Sequence, residues 1–328
     1  MSRIILHPSG KSVECAQGDT VLMALERAGY ALPNNCRAGA CGECKVKVLT
    51  GQFDQGMVLD MALSADERRQ GYGLMCMAKP ISEELSIEWG AADARPKLFP
   101  PREDALYVVV DKRPLTPRVV ELRLRPVGQP IRHWPGQYVS LGNPRAGIPA
   151  RAYSIANAPR PDGELVLQIA RAAPASNTTT NSTTTSLSTS AWVHDQLQVG
   201  ESVKLSGAYG TFIGDPGVDT PVLCLAAGTG LAPILSLTEA ALRRGFRRPV
   251  TLLISARRQE DVYGLGLLAW WRTKHRNFDY KITLTRDEAA AGTLQGRIPA
   301  VLPGLFPNLA KHTVFVAGSP AFVEDCVA

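Results

Sequence analysis

Long apolar stretches are missing from this chain of 328 residues. Runs such as Val222–Ala227 and 250–254 fall far short of the roughly 20 residues needed to cross a bilayer. The N-terminus, Met1-Ser2-Arg3-Ile4, lacks a charged n-region, an apolar h-region and a cleavage site. No secretory signal is expected, and the protein is expected to be soluble and cytoplasmic. Aromatic residues are scarce, at 6%. The basic residues are scattered and form no aromatic-rich groove, so nucleic acid is not an expected partner despite a net charge of +6. With 45% apolar and 20% charged residues, a wholly disordered or fibrous chain is excluded. At about 100–200 residues per domain, the length implies two to three domains. Residues 1–90 carry 9 basic and 11 acidic side chains, net −2, which leaves +8 on the remainder.

Seven cysteines are present: Cys15, Cys36, Cys41, Cys44, Cys76, Cys224 and Cys326. The number is odd and the context is not secretory, so a disulfide framework is not expected. Cys36, Cys41 and Cys44 form a C-x4-C-x2-C run, and Cys76 follows 32 positions later. This is the plant-type spacing for a [2Fe–2S] cluster. Four thiolates must converge on two irons from one tight loop and one distant segment. Gly39 and Gly42 let the backbone fold closely there. The alternatives are a zinc site or reduced structural thiols. Zinc knuckles favour two paired C-x2-C units, and here the second is absent. Cys15 and Cys224 read as packing thiols.

Around these ligands the pattern reads as strands 3–7 and 12–16, then a helix at about 20–28 that Asp19 caps and Gly29 ends. Strand 45–49 follows the cysteine loop, Cys76 lies in Leu74-Met75-Cys76-Met77-Ala78, and strand 85–89 closes the unit. Residues 1–90 resemble a plant-type ferredoxin over their whole length, which implies the α+β β-grasp fold. Residues 91–102 read as a semi-rigid, proline-bearing linker. Residues 103–213 hold short strands at 105–112, 118–125, 137–141, 152–156, 164–171 and 202–206, which predict a small antiparallel β-barrel. Residues 219–328 alternate strand and helix: strands 222–227, 250–256, 280–285 and 313–317, helices 233–244 and 262–275. That predicts an α/β domain with a parallel sheet and nucleotide chemistry at the strand ends. Residues 174–190, with seven Thr, five Ser and two Asn, read as a surface loop. The Asn177 and Asn181 sequons there would go unused in a cytoplasmic protein.

The barrel contains Arg151-Ala152-Tyr153-Ser154, preceded by Pro135-Gly136-Gln137-Tyr138. The Arg-x-Tyr-Ser run resembles the flavin motif of the ferredoxin–NADP reductase superfamily. A guanidinium can clamp a phosphate through two hydrogen bonds. A tyrosine ring can stack on the isoalloxazine, and a hydroxyl can hydrogen-bond at flavin N5. Tyr153 and Ser154 are thus the expected catalytic pair and Arg151 the phosphate clamp. Gly207-Ala-Tyr-Gly210-Thr-Phe212 resembles the family's Gly-Pro-Tyr-Gly-x-Phe turn, with Ala208 in place of proline. The family's Gly-Gly-x-x-Ser phosphate stretch is replaced by the Ser/Thr-rich segment, which leaves Ser190 as the candidate contact.

In the third domain Gly228, Thr229 and Gly230 follow a buried strand and open a helix, with Pro233 expected at its first position. Such a turn offers backbone N–H groups and a helix N-terminus to a pyrophosphate. Arg257 and Arg258 follow the second strand, where the superfamily contacts the adenosine ribose. Two arginines suit a 2′-phosphate, but Asp261 opposes one, so NADH is the expected donor and NADPH the alternative. Gly318 and Ser319 sit in a run that resembles the family's Cys-Gly-Pro-Pro motif near the nicotinamide, with Ala317 for the cysteine. The chain ends at Ala328, inside an expected helix, where relatives continue for one more helix and strand.

The order ferredoxin, flavin barrel, nicotinamide domain resembles the reductase components of bacterial ring-hydroxylating dioxygenases and di-iron aromatic monooxygenases. The resemblance implies electron flow from NADH through FAD and [2Fe–2S] to a terminal oxygenase or hydroxylase component or a shuttle ferredoxin, in a protein monomeric when free. The rivals are a reductase serving a deoxysugar dehydratase or a P450, and a ferredoxin fused to a non-catalytic binding module. Arg151-x-Tyr153-Ser154 together with Gly228-Thr-Gly230 argues against the last.

Overall fold

The computed structural model describes residues 1–172, 188–289 and 292–327. The chain divides into two compact units, Met1–Pro101 with Ala208–Phe212, and Arg102–Gly207 with Ile213–Ala328. Among the described residues no helix is long and apolar enough to cross a membrane.

The first unit contains β1 (Ser2–His7), β2 (Lys11–Cys15), α1 (Val21–Arg27), β3 (Lys45–Thr50), β4 (Phe53–Asp54), α2 (Ala65–Arg69), β5 (Tyr72–Leu74), β6 (Lys79–Pro80) and β7 (Glu84–Glu88). Its sheet runs β2-β1-β7-β3-β5, with β1 parallel to β7 and the other pairs antiparallel. Alternation decides the inward face: Ile4, Leu6, Leu85 and Ile87 are fully buried. Helix α1 covers that face with Val21, Leu22, Ala24 and Leu25. Its N-cap is Thr20 rather than Asp19: the Thr20 side chain accepts from Met23 N, and Asp19 pairs with Arg27 instead. Gly29 ends the helix as expected, at φ +80°, with Tyr30 N reaching back to Leu25 O at 2.9 Å. The linker is held here too, since Lys97 N and Leu98 N both donate to Gly29 O.

The second unit begins with β8 (Arg102–Thr116), β9 (Val119–Pro126), β10 (Tyr138–Asn143), β11 (Ile148–Ser154), β12 (Leu165–Ala170), α3 (Thr189–Asp195) and β13 (Ser202–Tyr209). The sheet order is β11-β10-β13-β8-β9-β12. An Ile155–Leu167 bridge and a 2.8 Å bond from Ala156 N to Val166 O tie its two edges, so the sheet closes on itself. Residues 174–187 of the Ser/Thr-rich stretch lie outside the described residues. Its last three do not form a loop. Ser188 caps α3 by accepting from Ala191 N, and Thr189 and Ser190 are its first residues. Composition hid a capping residue there, because serine serves loops and N-caps alike.

The same unit continues with β14 (Val222–Ala227), α4 (Leu231–Arg243), β15 (Val250–Ala256), α5 (Leu265–Lys274), β16 (Phe278–Leu284), β17 (Thr293–Gln295), α6 (Ile298–Leu305), β18 (Thr313–Ala317) and α7 (Pro320–Val327). The sheet order is β17-β16-β15-β14-β18, and every pair is parallel. Helix α4 starts at Leu231, so Pro233 is its third residue and not its first. Proline is tolerated there, because that N–H has no partner within the helix.

Candidate functional site

The four expected cluster ligands come as two hydrogen-bonded pairs, Cys36 with Cys41 and Cys44 with Cys76. Among the described residues no three His, Cys, Asp or Glu side chains converge on a point suited to one ion. Two pairs suit two irons with two thiolates each. Backbone amides point at the sulfurs: Ala38 N and Ala40 N donate to Cys36 Sγ, and Cys76 N to Cys44 Sγ, all at 3.4 Å. Such N–H donors stabilise thiolates and an anionic cluster. The hydrogen bond with Cys44 lowers the Cys76 thiol to about 6 against the opposing effect of burial, with the Gly39 amide and the Arg37 charge adding. The loop conformation explains both glycines. Gly39 and Gly42 have φ of +70° and +80°, and a Cβ on Gly39 would lie 2.8 Å from Met57 O. Arg37 also takes a left-handed φ, +54°, and its guanidinium pairs with buried Glu26 of α1.

On the barrel, Arg151, Tyr153 and Ser154 lie along β11, opposite Leu141, Val139 and Tyr138 of β10. Arg151 and Tyr153 point to the same face, because their spacing is two. Arg151 is exposed, and its guanidinium donates to Ala150 O and to no carboxylate among the described residues. A free clamp of this kind fits a phosphate. Burial pushes the Tyr153 phenol up to about 12, opposed by Arg151, so it stays neutral. Gly207, at φ +147°, lies against the same level of β10: a Cβ would meet Tyr138 O at 3.1 Å and Val139 Cγ1 at 3.2 Å. Gly210, at φ +92°, falls in the segment Ala208–Phe212 that groups with the first unit. Ser190 is buried, and its hydroxyl accepts from Ala172 N at 3.0 Å.

Gly228, Thr229, Gly230, Arg257, Arg258, Gly318 and Ser319 line one cleft of about 810 Å³ at the C-terminal ends of β14, β15 and β18. Pro233 does not line it. The two glycines of the turn serve different needs. Gly228 has φ +55°, whereas a Cβ on Gly230 would lie 2.2 Å from Ala317 O. Ser319 Oγ accepts from Phe322 N and so caps α7. Arg257 and Arg258 are exposed, and neither forms an ion pair among the described residues. Asp261 Oδ2 instead accepts from Arg258 N at 3.2 Å. Two cleft residues escaped the sequence reading. Arg286 lies just past β16, with its backbone N on Arg257 O at 2.9 Å. The rule that strand C-termini carry nucleotide contacts, applied to the third strand as well, marks it. Tyr263 is buried and donates its hydroxyl to Gly228 O at 3.1 Å; no short motif carries that contact.

Residues 4–80 match a 2Fe-2S iron-sulfur cluster binding domain, and residues 224–328 an oxidoreductase NAD-binding domain. The chain is 32% identical to the reductase subunit of an Amycolatopsis aromatic O-demethylase, over 96% of this chain and 90% of that one. It is 34% identical to the reductase component of a Pseudomonas phenol 2-monooxygenase, over 84% and 74%. A solved Amycolatopsis cytochrome P450 reductase superposes over 100% of this chain and 93% of that chain, with a TM-score of 0.86 and 29% identity. A cysteine cradle, a strand carrying the expected flavin motif and a nucleotide-sized cleft on one chain fit an iron–sulfur flavoprotein reductase. The chain belongs to the family of ferredoxin-fused reductase components of oxygenase systems. It is an oxidoreductase that carries electrons from a reduced nicotinamide dinucleotide through FAD to [2Fe–2S].

Proposed function

We propose that this reductase delivers its electrons singly to an oxygenase component. What supports the reading is the presence, on one chain, of a cradle of two cysteine pairs and a dinucleotide cleft. When bound, the flavin takes two electrons together as hydride and releases them one at a time, which a one-electron cluster requires. In this reading Cys36, Cys41, Cys44 and Cys76 hold the cluster. Arg151 would clamp a flavin phosphate, Tyr153 would pack on the ring, and Ser154 would hydrogen-bond near the ring nitrogen that takes up hydride. Gly228, Thr229 and Gly230 offer N–H groups to the pyrophosphate, and Gly318 and Ser319 line the nicotinamide end.

NADH is the proposed donor, because Glu260 and Asp261 line the same end of the cleft as the arginines and oppose an added phosphate. NADPH is the second reading, and Arg286 is the observation that favours it. The acceptor class is tested by mixing the reductase and NADH with a purified di-iron monooxygenase, a ring-hydroxylating dioxygenase and a P450 in turn. NADH-driven product formation with the monooxygenase or the dioxygenase is expected, and product with the P450 alone would favour the P450 rival instead. NADH oxidation with transfer to none of the three would refute the oxygenase reading.

A further inference from the structure

Asn157 is 3% exposed and stands three residues after Ser154, just past the flavin strand β11. Its side chain donates to Ala158 O and Glu164 O, at 3.0 and 2.9 Å, and accepts from Val166 N at 2.7 Å. The turn is thereby locked onto β12. Its backbone carbonyl accepts from Ser236 Oγ at 2.7 Å and lies 3.3 Å from His133 Nε2. The next amide, Ala158 N, donates to Glu239 Oε2 at 2.7 Å. Ser236 and Glu239 are three apart on α4 and so share a face. Four residues before Ser236, Ala232 packs with Ala156 and Val166. One stripe of α4 therefore grips the segment that follows β11, and the residues just before α4 are the glycine turn Gly228–Gly230.

Two short hydrogen bonds fix this seat in direction as well as depth, which apolar packing does not. Ser236 is fully buried, so no water replaces its bond without cost. Glu239 also faces Arg243, 3.8 Å away, which leaves its other oxygen engaged. We infer that Ser236 and Glu239 are positioning residues for hydride transfer, holding the glycine turn at a set distance from the flavin strand through Asn157 and Ala158. The inference rests on the NADH-to-flavin chemistry proposed above. In that step the C4–H bond of the dihydronicotinamide would break and an N–H bond on the flavin ring would form, with both electrons passing in the hydride so that the flavin is reduced and NAD⁺ is left. Neither residue touches a reacting atom; their effect is on approach distance, to which rate is steeply sensitive.

The test uses the full-length chain loaded with flavin and cluster. Flavin reduction is followed anaerobically with NADH and with C4-deuterated NADH, in wild type, Ser236→Ala, Glu239→Ala and Glu239→Gln. The two alanine variants should reduce flavin about tenfold more slowly and show a hydrogen/deuterium isotope effect that depends more steeply on temperature. KM for NADH should stay within about threefold, because no nucleotide contact is altered. Glu239→Gln keeps an oxygen acceptor for Ala158 N and should behave as wild type, which also excludes a folding defect as the cause. A second readout needs no turnover: amide hydrogen exchange at 156–158 in flavin-free protein should speed up in Glu239→Ala and not in Glu239→Gln. Wild-type isotope effects and exchange in Glu239→Ala would overturn the inference. A wild-type chain that fails to reduce its flavin with NADH would instead overturn the functional reading, and the exchange data would still decide whether the clamp exists.

Discussion

An added Cβ at Gly230 would lie 2.2 Å from the Ala317 carbonyl oxygen, whereas at Gly228 it would meet nothing within 4 Å. The two glycines should therefore respond differently to the same substitution. Gly228→Ala strains only the backbone at φ +55° and should cost about 1 kcal/mol of unfolding free energy. Gly230→Ala forces α4 away from the end of β18 and should cost about 3 kcal/mol, with loss of NAD⁺ binding. Urea unfolding of both variants checks this, and equal costs would mean that the turn relaxes freely. Arg286 carries the prediction on donor choice. Its guanidinium is exposed at the cleft and forms no ion pair among the described residues. Arg286→Ala should lower kcat/KM for NADPH by about tenfold or more and for NADH by about threefold or less. A wild-type kcat/KM for NADPH above that for NADH would reverse the proposed preference.

His133 shows what burial does within the barrel element. It is 5% exposed, and burial lowers its pKa to about 4, with hydrogen bonds to Asn157 and Ile131 opposing. The folded imidazole therefore stays neutral where an unfolded one, at about 6.5, takes up a proton. The stabilisation is complete above about pH 6.5 and is lost as pH falls toward 4. Between pH 7.5 and 4.5 the wild type should lose about 2–3 kcal/mol more unfolding free energy than His133→Gln, measured by denaturant titration. Equal losses would show that the ring is hydrated. Sequence patterning located most elements, because alternation and helical period follow directly from which face is buried. Val222–Ala227 and Thr313–Ala317 match their expected bounds. It failed where two signals shared one residue type. Thr20 and Asp19 both suit an N-cap, and only the Asp19–Arg27 pairing separates them. Ser188 lay within a composition that reads as loop.

The ferredoxin unit and the flavin and nucleotide unit should carry separable activities. Cys41→Ser removes one thiolate from the first pair and leaves the cleft and β11 untouched. Electron delivery to the one-electron acceptor cytochrome c should fall to background, while NADH-to-ferricyanide activity stays within about twofold. Loss of both together would show that the flavin step depends on an intact cluster. The proposed cluster ligands could be picked out because the chemistry they suit is set by spacing along the chain. Arg286 and Tyr263 were not, since their roles arise only when parallel strands bring distant loops to one edge. The contact of Lys97 N and Leu98 N with Gly29 O bears on how such modules are exchanged. Those two donors satisfy the carbonyl that follows α1, and Leu98 is buried against the ferredoxin unit. A seam cut at Gly90 would strip a carbonyl of both partners and leave an apolar side chain loose in water. The transplantable cassette is thus longer than the ferredoxin pattern by the length of its tether, and grafts onto a new reductase belong after Pro101.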